Sequence, residues 1–323
     1  MFLSTSSFRA ELKVVTVVLL VLAGCEVMMR FGEQFLSRDV QHIKQIPAIS
    51  QTLADSKGER ILFIGNSLVR AGINPDAIEE ELKAQGVAPV HIERVFPDST
   101  SLPDWYRLFK HYFVGTSHLP EALVLCFSDI ALQDSSGTDP SRLGHYYSSP
   151  GELPEIFDQD LRDFNGSAEF ILSSLSYSFA NRMRVRTRAL DLIVPDYRNS
   201  AQRINRDMKR EQFVKTTNKS YQRLSRLLAM AKRDGVRVVV VAMPQPSVYA
   251  LDPQIKTVVE SAGMTFLDCR VVNGISSASF VDEMHLGPGG ALTYSHFLGS
   301  QLAGKIRMTS SVARSTSNAQ SGP

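Results

Sequence analysis

Short apolar runs, rich in β-branched and aromatic residues, recur along this chain and alternate with stretches in which apolar residues follow helical spacing. The runs predict buried strands over residues 61–64, 90–92, 122–127, 236–244 and 265–268. The helical stretches cover residues 75–82, 102–113, 221–235, 255–262 and 290–306. Because strand and helix alternate in this way, the sequence predicts an α/β fold with a doubly wound, parallel central sheet.

The N-terminal end has a different pattern. An apolar run over residues 14–25 follows Arg9 and Lys13. A basic flank before an apolar stretch is typical of a secretory signal or a membrane anchor. The run ends in Leu-Ala-Gly-Cys, which resembles a bacterial lipobox with Cys25 as the lipidated residue. An uncleaved anchor extending to Arg30 is the alternative, and it would be short for a span. Both alternatives predict a membrane-tethered protein whose bulk lies outside the cytoplasm.

Changes in composition predict the remaining boundaries: a signal or anchor over 1–30, a helical stalk over 31–58, the α/β domain over 59–306, and a Ser-rich disordered tail over 307–323. A helical insertion is expected at about 130–213, with helical patterns over 153–164 and 168–192 and a mobile loop over 195–212. The insertion carries four arginines at a spacing of two, which cannot share one helix face: Arg182, Arg184, Arg186 and Arg188. We interpret them as a solvated surface, with a polyanion or lipid-headgroup contact as the alternative.

Composition and charge narrow the class of protein. With 323 residues and 43% hydrophobic content, the chain can bury the core of one large domain with an insertion. The formal net charge of +2 gives no field that favours nucleic acid as a partner. The three cysteines, Cys25, Cys126 and Cys269, are too scattered for a disulfide framework, although a bridge between the last two stays open. No Cys or His spacing indicates a metal site, and no cofactor is expected.

The first candidate for chemistry is Ser67, which follows the predicted strand 61–64 and Gly65. In an open α/β sheet, residues just past the carboxyl ends of the strands line the ligand crevice. Glycine allows the backbone to approach its neighbours closely at such a turn. The position therefore favours Ser67 as a nucleophile.

A base for this serine is available near the other end of the chain. Asp282 precedes His285 by three residues in a turn-rich loop. At this spacing the carboxylate can accept from one ring nitrogen while the other nitrogen faces a hydroxyl. A serine near neutral pH requires such a base to act as a nucleophile.

Each of these residues also has a purely structural interpretation. Ser67 could cap the following helix, His285 could be a loop histidine, and Asp282 could bind its own backbone in a turn. Trp105 and the aromatic residues near it are interpreted as core. Taken together, a serine after the first strand and an Asp-x-x-His before the closing helix favour a catalytic set.

Residues 65–67, Gly-Asn-Ser, and residues 282–285, Asp-Glu-Met-His, resemble the first and last sequence blocks of the SGNH (GDSL-type) hydrolase family. The chain is similar in particular to membrane-tethered SGNH-like proteins of bacterial exopolysaccharide and cell-wall acylation systems. The resemblance implies a three-layer α/β/α sandwich, with Ser67 as nucleophile, His285 as general base and Asp282 as the acid that orients it.

The middle blocks of that family are altered here. Residues 126–129, Cys-Phe-Ser-Asp, stand where the family has Gly-x-Asn-Asp, so the usual oxyanion amide is missing. The remaining candidate donors are the backbone of Ser67, the side chain of Asn66, the loop at Ser99 and the hydroxyl of Ser128. Losing one such donor lowers turnover by about a hundred- to a thousandfold.

The resemblance implies an exported, membrane-tethered serine esterase or O-acyltransferase that acts on an acylated bacterial polysaccharide or envelope glycan. Its partners would be the glycan or acyl ester, the membrane and a membrane acyltransferase, and its place the bacterial cell envelope, facing the periplasm or exterior. The alternative is a catalytically degenerate SGNH-fold accessory protein that binds glycan or a membrane partner during polysaccharide export. The acceptor of the acyl group, water or sugar, stays open.

Overall fold

The computed structural model describes residues 5–87, 89–161, 163–197, 200, 204 and 219–319, and within these ranges the side chains from residue 11 to residue 305. The chain divides into two compact units. The first comprises Met1–Lys44 and Asp139–Lys215, and the second comprises Gln45–Thr138 and Thr216–Pro323. The second unit contains the sheet and is described first.

Five strands form the sheet in the described part of the second unit: β1 (Glu59–Ile64), β2 (Val90–Val95), β3 (Ala122–Phe127), β4 (Arg237–Ala242) and β5 (Thr265–Asp268). Their order is β2-β1-β3-β4-β5, and every neighbouring pair is parallel. Every residue of β3 is buried, as expected for a central strand of a parallel sheet covered on both faces. The predicted α/β class with a parallel sheet is therefore confirmed.

The helices in the described part of the chain are α1 (Thr5–Gly32), α2 (Arg38–Asp55), α3 (Ser67–Gly72), α4 (Pro75–Ala84), α5 (Leu102–Phe109), α6 (Pro140–Tyr146), α7 (Leu153–Gln159), α8 (Phe164–Leu175), α9 (Tyr177–Ile193), α10 (Gln222–Arg233), α11 (Pro253–Ser261) and α12 (Pro288–Ala319). A short 3₁₀ turn covers Glu33–Phe35, and a π-helical turn, Lys110–Val114, follows α5.

Helices cover both faces of the sheet. On one face, Ile78 of α4 and Tyr294 of α12 belong to the same buried cluster as Phe63 of β1. Alternate residues of a strand point to opposite faces, so Leu62 and Ile64 face the other side. There α5 contacts α10, which packs on β4. The sheet with its two helical layers is the predicted three-layer sandwich.

The strand order locates the ligand crevice. Strand β2 lies on one side of β1, and β3, the next strand in the chain, lies on the other side of β1. In doubly wound sheets with this order, the crevice lies at the carboxyl ends of the two strands where the direction reverses. Here those strands are β1, which leads to Ser67, and β3, which leads to Ser128.

The first unit is helical in its described part and contains α1, α6, α7, α8 and α9. Residues Glu11–Phe35 form a helical segment with a mean hydropathy of 2.2 that is long enough to cross a membrane. None of the most apolar part of that stretch is buried inside the protein. Length and composition are thus compatible with the predicted membrane segment.

Two predictions differ in detail from the structure. Helix α6 lies in the part of the insertion before residue 153, for which no helix was predicted. Its start is capped by Asp139, which accepts from the N–H of Arg142, and Pro140 occupies its first turn. Helix α12 continues to Ala319, although residues 307–323 were predicted to be disordered, because neither Gly nor Pro interrupts the chain between Gly304 and Gly322. Most of the predicted loop over 195–212 and the last four residues lie outside the described residues.

The open question about a disulfide is answered by the sheet. Cys126 is on β3 and Cys269 follows β5, so β4 lies between the two strands. Neighbouring strands are about 4.8 Å apart, which places two strands on either side of a third beyond the reach of a disulfide. Both cysteines are buried free thiols. Burial raises the pKa of both thiols, that of Cys269 to about 12.

Candidate active site

The turn between β1 and α3 sets the position of Ser67. β1 ends at Ile64, and Ser67 is the first residue of α3. A Cβ on Gly65 would lie 2.4 Å from Cγ2 of Val69 and 2.9 Å from the carbonyl oxygen of Cys126. Only glycine fits between these atoms without displacing them, so Gly65 allows the tight turn that brings Ser67 to the edge of the sheet.

Asn66, rather than Ser67, caps α3. Its Oδ1 accepts a hydrogen bond from the N–H of Leu68 at 3.0 Å, and its Nδ2 donates to the carbonyl oxygen of Thr100 at 3.2 Å. Because the neighbouring residue performs the capping, the structural interpretation of Ser67 as a cap is wrong. The Ser67 hydroxyl is left for other contacts.

The Asp282–His285 loop is held closed by backbone hydrogen bonds. An antiparallel bridge joins Phe280 to Leu286, and the N–H of Val281 donates to the carbonyl oxygen of His285 at 2.9 Å. Inside the loop, Oδ1 of Asp282 accepts from the N–H groups of Met284 and His285, each at 2.8 Å. Asp282 is therefore a turn residue that binds its own backbone, as the structural interpretation had it. The same carboxylate also binds the imidazole.

The side chains of the two distant segments meet in one chain of hydrogen bonds. Nδ1 of His285 lies 2.8 Å from Oδ2 of Asp282, and Nε2 of His285 lies 2.8 Å from Oγ of Ser67. An ionised carboxylate can only accept, so Nδ1 carries the hydrogen. In the neutral ring Nε2 then has a free lone pair, which accepts the hydroxyl hydrogen of Ser67.

Local electrostatics keep Asp282 ionised. Partial burial raises the pKa of Asp282, but the hydrogen bonds from the His285 side chain and from the backbone of His285 and Met284 outweigh it. The pKa of Asp282 therefore lies below its ordinary value. The site is open, since the side chain of His285 is 23% exposed and that of Asp282 54%.

The predicted oxyanion donors lie on the loops after the neighbouring strands. Ser99 follows β2, is exposed and has a φ of 58°. Ser128 follows β3, is buried, and accepts at its carbonyl oxygen from the N–H of Ala131. Among the described residues, neither hydroxyl is hydrogen-bonded to Ser67 or His285. The structure thus brings Ser67, His285 and Asp282 into direct contact, and the other three candidates are not part of that hydrogen-bond chain.

Two features of these loops were not predicted. The hydroxyl of Thr100 accepts from Nε1 of the buried Trp105 at 2.9 Å, while its carbonyl holds Asn66, which fixes the loop after β2 against the serine turn. Ser99 and Asp129 have positive φ angles, which are uncommon outside glycine and often occur near functional sites. In the sequence, the only signal was the polar Asp-Ser-Thr-Ser and Ser-Asp composition of the loops.

Among the described residues, no group of three or more His, Cys, Asp or Glu side chains is placed to hold a metal ion.

No protein-family model and no curated protein matches the sequence. Among solved structures, the chain is similar to an acetylxylan esterase from Geobacillus stearothermophilus, at 12% identity and a TM-score of 0.38, over 76% of this chain and 94% of that one. It is also similar to an alpha/beta hydrolase enzyme from the metagenome of Lake Arreo, Spain, at 12% identity and a TM-score of 0.37, over 79% of this chain and 99% of that one. Similarity at this distance does not identify an activity or a substrate.

Proposed function

We propose that this protein is a serine-dependent ester hydrolase or O-acyltransferase in which Ser67 attacks an ester carbonyl. The observation that carries the proposal is the hydrogen-bond chain from Ser67 through His285 to Asp282. A serine hydroxyl is a weak nucleophile near neutral pH, and a base that accepts directly from it removes that limit. The tautomer required of the base is the one that Asp282 imposes.

The reaction would proceed in two halves. In the first, Oγ of Ser67 bonds to the ester carbon, its proton passes to Nε2 of His285, and Asp282 stabilises the resulting imidazolium. The tetrahedral intermediate then collapses, and Nε2 returns the proton to the departing alkoxide oxygen, which leaves an acyl-serine. In the second half, the oxygen of water or of a sugar hydroxyl bonds to the acyl carbon and gives its proton to Nε2. The bond between the acyl carbon and Oγ of Ser67 then breaks, and Nε2 returns the proton to Oγ.

The oxyanion of the intermediate would be bound by N–H groups at the start of α3. As the first residue of that helix, Ser67 has an N–H that the helical hydrogen bonds do not use. Asn66 has a second amide hydrogen besides the one given to Thr100. We also assign the backbone at Ser99 and the hydroxyl of Ser128 as candidate donors, to be tested individually.

For the substrate, we propose a small acyl group on a bacterial polysaccharide or envelope glycan. The exposed position of Asp282 supports a bulky substrate, because a polymer can reach a catalytic group only at an open rim. The SGNH-like blocks at residues 65–67 and 282–285 support acyl-ester chemistry. The apolar span in α1 supports a tether to the membrane of the cell envelope, where a membrane acyltransferase could supply the acyl group.

A second candidate is a non-catalytic glycan-binding accessory protein. It is favoured by one observation: residues 126–129, Cys-Phe-Ser-Asp, lack the usual oxyanion amide. In this alternative, the hydrogen-bond chain would remain without ester turnover.

The deciding experiment compares the full-length wild type with Ser67→Ala on a chromogenic acetyl ester and on an O-acetylated polysaccharide. We expect acetate release from both substrates by the wild type and a loss of about a millionfold in Ser67→Ala. A fluorophosphonate probe should label Ser67 in the wild type alone. With a deacetylated acceptor glycan added, acetyl transfer to that glycan indicates a transferase, and unchanged acetate release indicates a hydrolase.

The matched control is Ser174→Ala, since Ser174 is an exposed serine of α8 whose hydroxyl bonds only to the carbonyl of Ile171 among the described residues. It should keep wild-type turnover. Equal turnover in wild type and Ser67→Ala would refute the role of Ser67. Glycan binding that is the same in both proteins, with no turnover and no probe labelling in either, would select the accessory-protein alternative.

A further inference from the structure

Helix α8 has one buried face and, opposite it, one exposed face that is rich in large apolar side chains. Its inner face buries Phe170 and Ser173 inside the first unit. On the opposite side a stripe of large apolar side chains is exposed, and we call it the α8 stripe: Phe164, Ile171, Leu172 and Leu175. Phe164 is 85% exposed and Leu175 77%. An exposed stripe of large apolar side chains of this kind marks a surface that contacts a membrane or a partner.

The end of α9 also carries exposed apolar side chains. Leu192 is 84% exposed and Ile193 76%, and both stand at the last turn of the helix. By contrast, the exposed large apolar residues that the structure describes in the second unit after its first strand are scattered along the sequence: Val248, Val271, Val281 and Leu292. Single exposed apolar residues are normal on soluble proteins, whereas a contiguous group marks an interaction surface.

Hydrogen bonds tie the α8–α9 hairpin to the apolar span of α1. The carboxylate of Glu26, inside that span, accepts from Oγ of Ser176 at 2.8 Å and from the N–H groups of Tyr177 at 2.6 Å and Ser178 at 3.1 Å. The start of α9 is therefore fixed beside residue 26 of the span. A carboxylate within an apolar span requires such partners.

Cationic side chains lie at the end of the α1 span and on α9, as is typical of a protein surface that faces a membrane. The guanidinium of Arg30, at the end of the span, lies 5.6 Å from the centroid of the Tyr177 ring. On α9, Arg182 and Arg184 bind Glu169 and Asp39 within the first unit, while Arg186 and Arg188 are exposed. Tyrosine is enriched where a span leaves the bilayer, and exposed arginines attract anionic headgroups.

We propose that the α8 stripe and the apolar end of α9 dock on the lipid bilayer, in the leaflet where α1 leaves it. The occupant is lipid, because the surface is fixed to a membrane-length span and carries exposed cationic side chains beside apolar ones. The hairpin is thus a second membrane contact besides α1. This inference rests on the membrane tether proposed for α1 and is independent of the ester chemistry.

The test measures contact with lipid at single positions of the full-length protein in liposomes of phosphatidylcholine and phosphatidylglycerol. Single cysteines are placed at Phe164→Cys and Leu175→Cys in a Cys25→Ser background, and labelled with an environment-sensitive fluorophore. The native thiols Cys126 and Cys269 are buried and should not react. We expect quenching by lipids brominated on the acyl chain at both stripe positions, strongest when the bromine lies near the headgroup end.

Val271→Cys is the matched control, since Val271 is an exposed valine of the second unit at 73%. It should show no more quenching than labelled protein in detergent. Label on the native Cys25, which lies in the span, reports the tether separately. Quenching at Cys25 without quenching at the stripe would overturn the inference and leave the tether intact, and its absence at all positions would overturn both.

Two further outcomes also refute lipid contact. Protection of the stripe label that depends on protein concentration, without bromolipid quenching, would mean that a second copy of the chain covers the stripe. Equal quenching at Phe164, Leu175 and Val271 would mean nonspecific adsorption. Far-UV circular dichroism of each labelled variant checks that the fold is retained.

Discussion

Among the carboxylate–imidazole pairs that the structure describes, one pair from each unit makes an instructive comparison, because the two pairs differ in what the second ring nitrogen contacts. In the second unit, His285 binds Asp282 through Nδ1 and the Ser67 hydroxyl through Nε2. In the first unit, His145 binds Glu33 through Nε2 at 3.1 Å and the carbonyl oxygen of Ser173 through Nδ1 at 3.1 Å. A carbonyl oxygen has no proton to give, so His145 cannot act as a base for it.

The surroundings of the two pairs differ as well. Glu33 is 2% exposed and also accepts from the side chains of Lys44, Tyr146 and Asn181. The ring of His145 packs edge-on against Tyr146 and Tyr177. Asp282 and His285 remain open to solvent. A buried, fully bonded pair holds helices together, whereas an exposed pair with a hydroxyl at its free nitrogen can transfer a proton.

The largest expected effect tests this difference on the histidines themselves. His285→Ala should lower kcat/KM for ester hydrolysis by about a millionfold, because the serine loses its base. His145→Ala should leave turnover per folded molecule unchanged and lower stability. The measurement is the hydrolysis rate of a chromogenic acetyl ester, normalised to the folded fraction from the fluorescence of Trp105, the single tryptophan. A comparable loss in both variants would show that the pairs do not differ in role.

The next effect concerns the tautomer of the exposed pair. Asp282→Asn should lower kcat by about ten-thousandfold, because an amide can donate to Nδ1 and so place the ring hydrogen on Nε2, where it blocks acceptance from Ser67. The matched control is Asp268→Asn, which removes a carboxylate paired with Arg270 at 2.7 Å and should keep turnover. If Asp282→Asn retained most of its activity, Asp282 would not orient the base.

For stability the order of the two pairs is reversed: losing the buried carboxylate should cost more than losing the exposed one. Glu33→Ala removes a buried carboxylate and leaves Lys44 and His145 without their counter-charge, so the free energy of unfolding should fall by about 3–5 kcal/mol. Asp282→Ala should change it by about 1 kcal/mol at most, because its pair is solvent-screened. Urea unfolding in one detergent, followed by circular dichroism, compares the two variants. Equal losses would contradict the assignment of the buried pair as structural.

The two pairs also differ in how far the sequence could predict them. The Asp282–His285 pair spans three residues of one loop, and the serine turn follows a clear apolar strand, so local spacing was enough to predict both. Their meeting across 218 residues depends on the strand order. The pair Glu33–His145 joins residues 112 apart on separate helices, and no local pattern marks it. A contact between residues so far apart produces no regular spacing in the sequence from which it could be predicted.

The same limit explains the errors at single residues. Serine and asparagine are comparable helix caps, so sequence alone did not decide between Asn66 and Ser67. Thr100 decides it, because its carbonyl fixes the Asn66 carboxamide from another loop. Likewise, α6 is short and polar on one side, and its helical state depends on its packing against α8. The strands were predictable because burial on both faces leaves a continuous apolar run.

The smallest expected effect is the pH dependence of the exposed pair's contribution to stability. The pKa of Asp282 is lower in the folded protein than its ordinary value of about 3.9. A group with a lowered folded-state pKa stabilises the fold above the unfolded value and loses that contribution as pH falls through the folded value. The difference in melting temperature between wild type and Asp282→Asn should therefore shrink towards zero as the pH falls from about 5 through the folded-state pKa of Asp282. A matched series with Asp268→Asn separates this effect from general acid destabilisation. The pKa of Asp268 is also lowered, chiefly by its hydrogen bond with Arg270, but Asp268 does not bind His285. A difference that instead grew on acidification would mean that folding raises the pKa of Asp282, and a pair of that kind would not hold Nδ1 of His285 in the tautomer that the serine needs.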